Sequence, residues 1–305
     1  MRRRSKLVLE FWDRKNELSI KNKDYSKFVN DLVEVLLGQD VKKGDMTSNL
    51  LIRNKQITAI IVAKENGVVA GLEEFSLINH DLKLKFQKRD CDKIKSGDIL
   101  VEIKGNAGKI LEKERISLNL LQRMSGIATL TAKLAKKAGN AKIAATRKTL
   151  WSLLDKKAVS IGNGITHRLS LGDGIIIKDN HLRIFNYDME KALACCSKSK
   201  SKFIEVEVAG RKQAVAAASM INMLKSLKKP GKLFAIMFDN MKPSEIKNTI
   251  SMLKKMRLYD SVLLEASGGI DGKSIRRYAR TGVDVISLGF ITHSAKSLDM
   301  SLEIK

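Results

Sequence analysis

The chain has little proline, little cysteine and few aromatic residues, and each scarcity closes off a class of protein. Two prolines in 305 residues, with no stretch rich in Pro, Gly or Ser, leave no flexible or polyproline linker to read. The three cysteines, Cys91, Cys195 and Cys196, form no CxxC pair and cannot all pair with one another. That argues against a disulfide framework or a zinc ribbon and fits a reducing, cytoplasmic setting. Residues 1–4 are basic, but Glu10, Asp13 and Arg14 interrupt the apolar run that follows, so no signal h-region is read. No run of apolar residues is long enough for a membrane span. Aromatics are 5% of the chain and none interleave with a basic segment, so a base-stacking surface for nucleic acid is not expected.

What is abundant is positive charge. Lys and Arg number 57 against 33 Asp and Glu, a formal net charge of +24, which suits anionic partners such as nucleic acid, phosphorylated metabolites or carboxylates. Much of the excess is lysine on presumed helical surface, as at Lys133, Lys136 and Lys137, or Lys225, Lys228 and Lys229, and reads as a solvated face. The 44% hydrophobic content is ordinary for a soluble globular protein with one to three domains.

Residues 1–24 read as a loosely attached amphipathic extension, with Leu7, Leu9, Phe11 and Trp12 as apolar anchors. Phe28 to Leu37 follows near-helical spacing ended by Gly38. Strand-like runs at 57–63 and 68–70 flank Glu65-Asn66-Gly67, a hairpin turn by composition, and 82–86 and 99–103 add further strands. This part reads as a small α+β domain with an antiparallel sheet. A long helix is predicted over 109–137, with a stripe of Leu118, Leu121, Met124, Ile127, Leu130 and Leu134 and a stop at Gly139-Asn140. Arg115 and Arg123 lie on it and, taken alone, read as surface arginines. From Ala141 onward strands (142–146, 174–178, 203–208, 234–238, 261–265, 284–288) alternate with helical patterns, the texture of a parallel sheet covered by helices. Residues 226–232 read as a lysine-rich surface loop.

Chemistry gathers where those strands end. The first is followed by Arg147 and Lys148, the second by Lys178, and His167-Arg168 falls between them. Glu205 and Glu207 alternate on the third strand, Asp239-Asn240 ends the fourth, and Glu265 precedes Ser267-Gly268-Gly269 on the fifth. Gly289 ends the sixth, with Thr292-His293-Ser294 beyond. In a β/α barrel these ends ring the active site. A cationic arc (Arg147, Lys148, His167, Arg168, Lys178) suits a strongly anionic substrate. An acidic arc (Glu207, Asp239 and Glu265) suits developing positive charge, or Mg²⁺ held through oxygen. The glycines permit the backbone a phosphate needs. Phosphoribosyl transfer from a pyrophosphate donor asks for this division, and no Walker A, HExxH, GxSxG or dinucleotide fingerprint competes with it.

At these residues the chain resembles the quinolinate phosphoribosyltransferase family, the carboxylating nicotinate-nucleotide pyrophosphorylases. The matching blocks run in the family's order: Gly44 to Ser48; Glu114-Arg115 through Leu121 to Thr129; Thr146-Arg147-Lys148-Thr149; His167-Arg168; Ile177 to His181; Glu205 to Val208; Met237 to Asn240; Glu265 to Ile270; and Ser287 to Ser294. The resemblance implies an N-terminal α/β sandwich domain (25–138, rejoined by 295–305) followed by an incomplete α/β, TIM-like barrel (139–294). It implies a homodimer or larger homo-oligomer in which one subunit's N-terminal domain completes its neighbour's site. By that pattern Arg115 from the partner joins Arg147, Lys148, His167, Arg168 and Lys178 around the carboxylates of quinolinate. Glu207 and Asp239 face the ribose and assist Mg²⁺; Ser267, Gly268, Gly289 and His293 hold the 5-phosphate of phosphoribosyl pyrophosphate; His181 orients. The implied products are nicotinate mononucleotide, CO₂ and pyrophosphate, a step of NAD biosynthesis. One departure bears on the pocket: the family's Pro-Gly after the Thr-Arg-Lys-Thr block is missing, and Thr149 runs into Leu150-Trp151-Ser152 in a shorter loop. The competing readings are a paralogous molybdenum-utilisation protein of the same fold and, from another class, a polyanion-binding module.

Overall fold

Strand-forming runs of two kinds divide the chain. A computed structural model describes residues 3–52, 54–226 and 231–305. Within the predicted lysine-rich loop, residues 227–230 lie outside the described residues, and with them Lys228 and Lys229. Strands β1 (Gln56–Ala63), β2 (Gly67–Val68), β3 (Lys83–Phe86), β4 (Lys93–Ile94) and β5 (Ile99–Asn106) precede a long helix, Ala107–Ala138. After it come β6 (Lys142–Ala145), β7 (Ile175–Ile177), β8 (Phe203–Val208), β9 (Leu233–Asp239), β10 (Leu263–Ser267), β11 (Val285–Leu288) and finally β12 (Met300–Ile304).

One unit comprises residues 15–133, 148–163 and 291–305. Its antiparallel sheet has the order β12-β1-β5-β3, with Ala59 of β1 opposite Ile304 on one side and Ile103 on the other. The helix Lys23–Asp40 is capped by Asn22, whose side chain accepts the Asp24 and Tyr25 N–H groups, and it runs past Gly38 instead of stopping there. The Glu65-Asn66-Gly67 turn makes no β1–β2 hairpin, because β2 pairs with β4. Gly67 serves a close approach: a Cβ there would lie 2.5 Å from Thr129 Oγ1 and 2.2 Å from Leu298 Cδ1. The next N–H, of Val68, donates to the same Thr129 hydroxyl at 2.9 Å.

The other unit comprises the segments through Arg14, Leu134–Arg147 and Gly164–Phe290. Its six strands are all parallel in the order β6-β11-β10-β9-β8-β7, and Ile165 bridges to Ala144 on the free side of β6. This incomplete barrel buries both faces, so its strands read as near-continuous apolar runs. Ile204, Val206, Phe234, Ile236, Leu264 and Ile286 point outward and are buried. The inward series begins with Ala144, Ile165, Ala235, Leu263 and Val285, which form one cluster with Val8, Phe11 and Trp12 of the helix Arg3–Trp12. That helix is not loosely attached. Trp12 is 1% exposed, and the Arg4 guanidinium forks onto Asp284 at 2.6 and 2.7 Å. Burial of Val8, Phe11 and Trp12 contributes about 2 kcal/mol apiece, which the sequence could not assign without the barrel that receives them. Among the described residues no helix is long and apolar enough to cross a membrane.

The first unit also buries charge. Glu74 is fully buried, and its Oε1 accepts from the Tyr25 hydroxyl at 2.8 Å and from Lys157 Nζ at 2.6 Å. Nearby, burial raises the Asp90 carboxyl to about 6; the Leu72 N–H opposes the rise and Glu74 adds to it. An unfolded aspartate titrates near 3.9, so the folded state loses stability as pH rises through that interval and keeps the deficit above it. Asp90→Asn cannot ionise. Its stability relative to the wild type should therefore grow by about 2 kcal/mol between pH 4 and 7, read from denaturant midpoints across that range; a difference that stays flat with pH would refute the assignment.

Candidate active site

The inward faces of β8 and β10 each carry one polar side chain deep in the barrel and another at the rim, and β9 carries one at the rim. On β8 these are Glu205 and Glu207; β10 carries Glu265 and Ser267, and Asp239 stands at the rim of β9 opposite Ser267. At the rim Lys178, just beyond β7, places Nζ 3.6 Å from Glu207 Oε2. The Lys178 N–H donates to His181 Nδ1 at 2.9 Å, so the exposed His181 orients the start of its helix. Burial raises the Glu207 carboxyl; Lys178 opposes this, and Asp239 adds to it. Two carboxylates that repel each other beside one lysine are oxygen donors suited to a divalent cation.

Asp239 is held by its neighbour. Asn240 Nδ2 donates to Asp239 Oδ2 at 2.7 Å, and the Asn240 N–H donates to Ser267 O at 2.9 Å. Asn240 has φ +54, a left-handed conformation asparagine tolerates better than most residues. Gly268, at φ +89, lies against it: a Cβ would come within 2.4 Å of Asn240 Oδ1 and 2.7 Å of Asn240 N. The strand-end Asn and the Ser-Gly-Gly turn thus interlock, which their separation in sequence conceals.

The cationic side is built on Arg147 and Arg168. Burial and then the charge of Arg147 depress the Arg168 guanidinium, while Glu205 and Asp173 support it. Arg168 Nη1 donates to Gly174 O at 3.0 Å, and Asp173 Oδ2 accepts the Leu169 and Ser170 N–H groups at 2.6 and 2.8 Å, closing the loop. Two neighbouring guanidinium groups are planar forks suited to carboxylate or phosphate oxygens.

Two of the residues read from sequence lie below the rim. Glu265 does not belong to the rim: it is fully buried, and its Oε2 lies 3.0 Å from His167 Nε2. His167 is 7% exposed with φ +55, and its Nδ1 accepts the Arg168 N–H at 2.8 Å. Both ring nitrogens therefore face protein. Glu205, also buried, lies 3.6 Å from the same Nε2.

Residues 45–125 match the family model described as quinolinate phosphoribosyl transferase, N-terminal domain, and residues 127–303 match the one described as its C-terminal domain. The chain belongs to the quinolinate phosphoribosyltransferase family. It is 40% identical over 286 residues to a probable carboxylating nicotinate-nucleotide pyrophosphorylase of Methanothermobacter thermautotrophicus, covering 90% of this chain and 98% of that one. The corresponding Bacillus subtilis protein is 36% identical, with 87% and 90% covered. Among solved structures, the nicotinate-nucleotide pyrophosphorylase of Francisella tularensis superposes with a TM-score of 0.79 at 31% identity, covering 92% of this chain and 96% of that one. NadC from Streptococcus pyogenes gives 0.79 at 33% identity, with 91% and 96% covered.

Of the remaining residues singled out by the family pattern, Gly289 directly follows β11, and Arg115, Lys148 and His293 lie in the first unit. Arg115 is exposed on the long helix; Lys148 is exposed; His293 is exposed, with Nδ1 2.6 Å from Ser294 Oγ. The loop after Lys148, which lacks the family's Pro-Gly, is tied by other means. Asp155, fully buried, accepts the Leu150 and Trp151 N–H groups at 3.0 and 3.2 Å. It is itself forked by Arg123 at 2.8 and 2.7 Å. Arg123 also donates to Thr292 O at 2.9 Å, and the Thr292 hydroxyl donates to Lys148 O at 2.7 Å. Arg123, read as surface from sequence, is thus the clamp of this loop. No local signal marked Asp155 as its partner. At the rim, Gly268→Ala should displace Asn240 and with it Asp239. Turnover should fall on the order of a hundredfold while circular dichroism stays native; an alanine variant within a few-fold of wild-type turnover would show that the interlock does not matter.

Proposed function

We propose that this chain is a quinolinate phosphoribosyltransferase. The quinolinate ring nitrogen attacks C1 of phosphoribosyl pyrophosphate, the C1–O bond breaks, and pyrophosphate leaves with the electron pair. The C2–carboxyl bond then breaks, CO₂ departs, its bonding pair stays on C2 beside the cationic nitrogen, and a proton completes nicotinate mononucleotide. The carrying observation is the pairing of Arg147 with Arg168 in a barrel whose strand ends also bring Glu207, Asp239 and Lys178 together.

Arg147 and Arg168 would grip the carboxylates of quinolinate as planar forks. Lys178 would stabilise negative charge developing on the pyridine, and the family pattern adds Lys148, next to Arg147 in the chain, to that task. Glu207 and Asp239 would steady the oxocarbenium-like ribose. The mutual repulsion of these carboxylates fits them to hold Mg²⁺, which when bound would neutralise pyrophosphate oxygens. Ser267, Gly268 and Gly289, with His293 by the family pattern, would receive the 5-phosphate; the positive φ of Gly268 and Gly269 supports that reading. Homo-oligomers with Arg115 supplied by a neighbouring subunit complete the proposal.

Purified protein with Mg²⁺, quinolinate and phosphoribosyl pyrophosphate should release CO₂ and nicotinate mononucleotide in equal amounts. A folded sample that yields neither defeats the reading. Shared sites predict that Arg115→Ala and Lys148→Ala, each inactive alone, regain part of the activity when mixed and allowed to exchange subunits. No recovery, with exchange demonstrated, would put Arg115 outside its neighbour's site.

A further inference from the structure

The strongest feature not used by the mechanism lies below the rim, where the helix Arg3–Trp12 meets the segment carrying His167 and Arg168. We propose that Trp12 and Thr166 are positioning residues for quinolinate binding, acting through His167 to fix the backbone of Arg168. The proposal rests on the reading above that Arg168 grips a substrate carboxylate.

The helix lies outside both segments matched by the family models, which begin at residue 45. It nevertheless builds the floor on which His167 rests. The Trp12 ring, 1% exposed, packs 6.2 Å from the His167 ring at 50°. At the helix end the Arg14 N–H donates to Thr166 Oγ1 at 2.8 Å. The proton of that hydroxyl is shared between His167 O at 2.8 Å and Trp12 O at 3.3 Å. Thr166 thus ties the end of the helix to the backbone of the residue with the unusual conformation. A histidine at φ +55 sits in a region L-residues seldom occupy, and surroundings must hold it there.

The hydrogen bonds say what the imidazole is for. Nδ1 accepts the Arg168 N–H, so it carries no proton, and the proton of the neutral ring is on Nε2. Nε2–H then donates to Glu265, 3.0 Å away, with Glu205 at 3.6 Å. His167, Glu205 and Glu265 cluster closely enough to hold a metal ion, but that tautomer does not permit it. A metal on Nε2 needs the other nitrogen to donate a proton, and here two donors would then face each other. The trio is a truss. Trp12 carries the ring from below, Glu265 holds its far edge, and its near edge fixes the Arg168 N–H from which the guanidinium projects. The Trp12 indole N–H also sits beside the buried Glu205 carboxyl and opposes the rise that burial and Glu265 impose on it, so the helix reaches this layer through Trp12.

The test uses the full chain. Thr166→Val keeps shape and removes the hydroxyl; Trp12→Phe keeps the apolar floor and removes the indole; Thr166→Ser restores the hydroxyl; Arg168→Lys reports on the site itself. Initial rates are measured against quinolinate at saturating phosphoribosyl pyrophosphate, and the reverse. Thr166→Val and Trp12→Phe should each raise the KM for quinolinate about tenfold, leave the KM for phosphoribosyl pyrophosphate unchanged, and Thr166→Ser should recover the quinolinate value. If Arg168→Lys raises the quinolinate KM while Thr166→Val and Trp12→Phe do not, the helix is structural only and the proposal is wrong. Loss of kcat alone, or equal rises in both KM values, overturns it too. If Arg168→Lys leaves the quinolinate KM unchanged, the site reading has failed and takes the proposal with it.

Discussion

Every second residue of a β-strand faces the same way, and in the parallel barrel that repeat sorts the interior by depth. On β8, Phe203 lies at the floor, its ring 5.3 Å from Phe11; two residues on, Glu205 meets His167; two further, Glu207 meets Lys178 at the rim. β10 repeats the order with Leu263, Glu265 and Ser267, and β9 with Ala235, Met237 and Asp239. A slip of one residue on any of these strands would put Ile204, Val206 or Phe238 inside and the charges among the covering helices. The outward apolar residues therefore hold the register on which the chemistry depends.

That layering has an electrostatic consequence. Burial and the neighbouring Glu265 push Glu205 well above the usual carboxylate range, and the Trp12 indole and Arg168 draw it back. Arg168 is in turn strained by its own burial and by Arg147. Each charge is costly by itself and tolerable only against the next, as expected where solvent is displaced. At the rim the same holds for Glu207 and Asp239. A dianionic pyridine above one arc and a cationic sugar beside the other would relieve both repulsions. On the proposed reading, that is the physical sense in which the barrel would be complementary to a phosphoribosyl transfer.

Much of this was legible in the chain. Six apolar runs followed by charge or glycine are what parallel strands ending at a site look like, and the observed strands coincide with them to within a residue or two. Alternation placed Glu205 and Glu207 on one face. What alternation alone does not give is depth: Glu265 carries the same formula as Glu207 but lies one layer lower, with His167. Side chains that reach across the chain were equally hidden. Arg123 has the spacing of a surface arginine on a long helix, and only the fold brings Asp155 to it. The Glu65-Asn66-Gly67 stretch has hairpin chemistry, yet Gly67 is required by contact with Thr129 and Leu298.

The first helix shows why an amphipathic extension can be misread. Its charged face and short length resemble a frayed terminus, since a helix of ten residues has little stability in water alone. Its apolar face has no partner in the neighbouring sequence, and the complementary surface is distributed over β6, β9, β10, β11 and the Ile165 segment. Closing the floor displaces water from the layer above, and removal of water strengthens every interaction among Glu205, Glu265, His167 and Arg168. Burial of Phe11 and Trp12 is thus not separable from the electrostatics of the site: the same packing that anchors the helix sets the dielectric in which Arg168 is held.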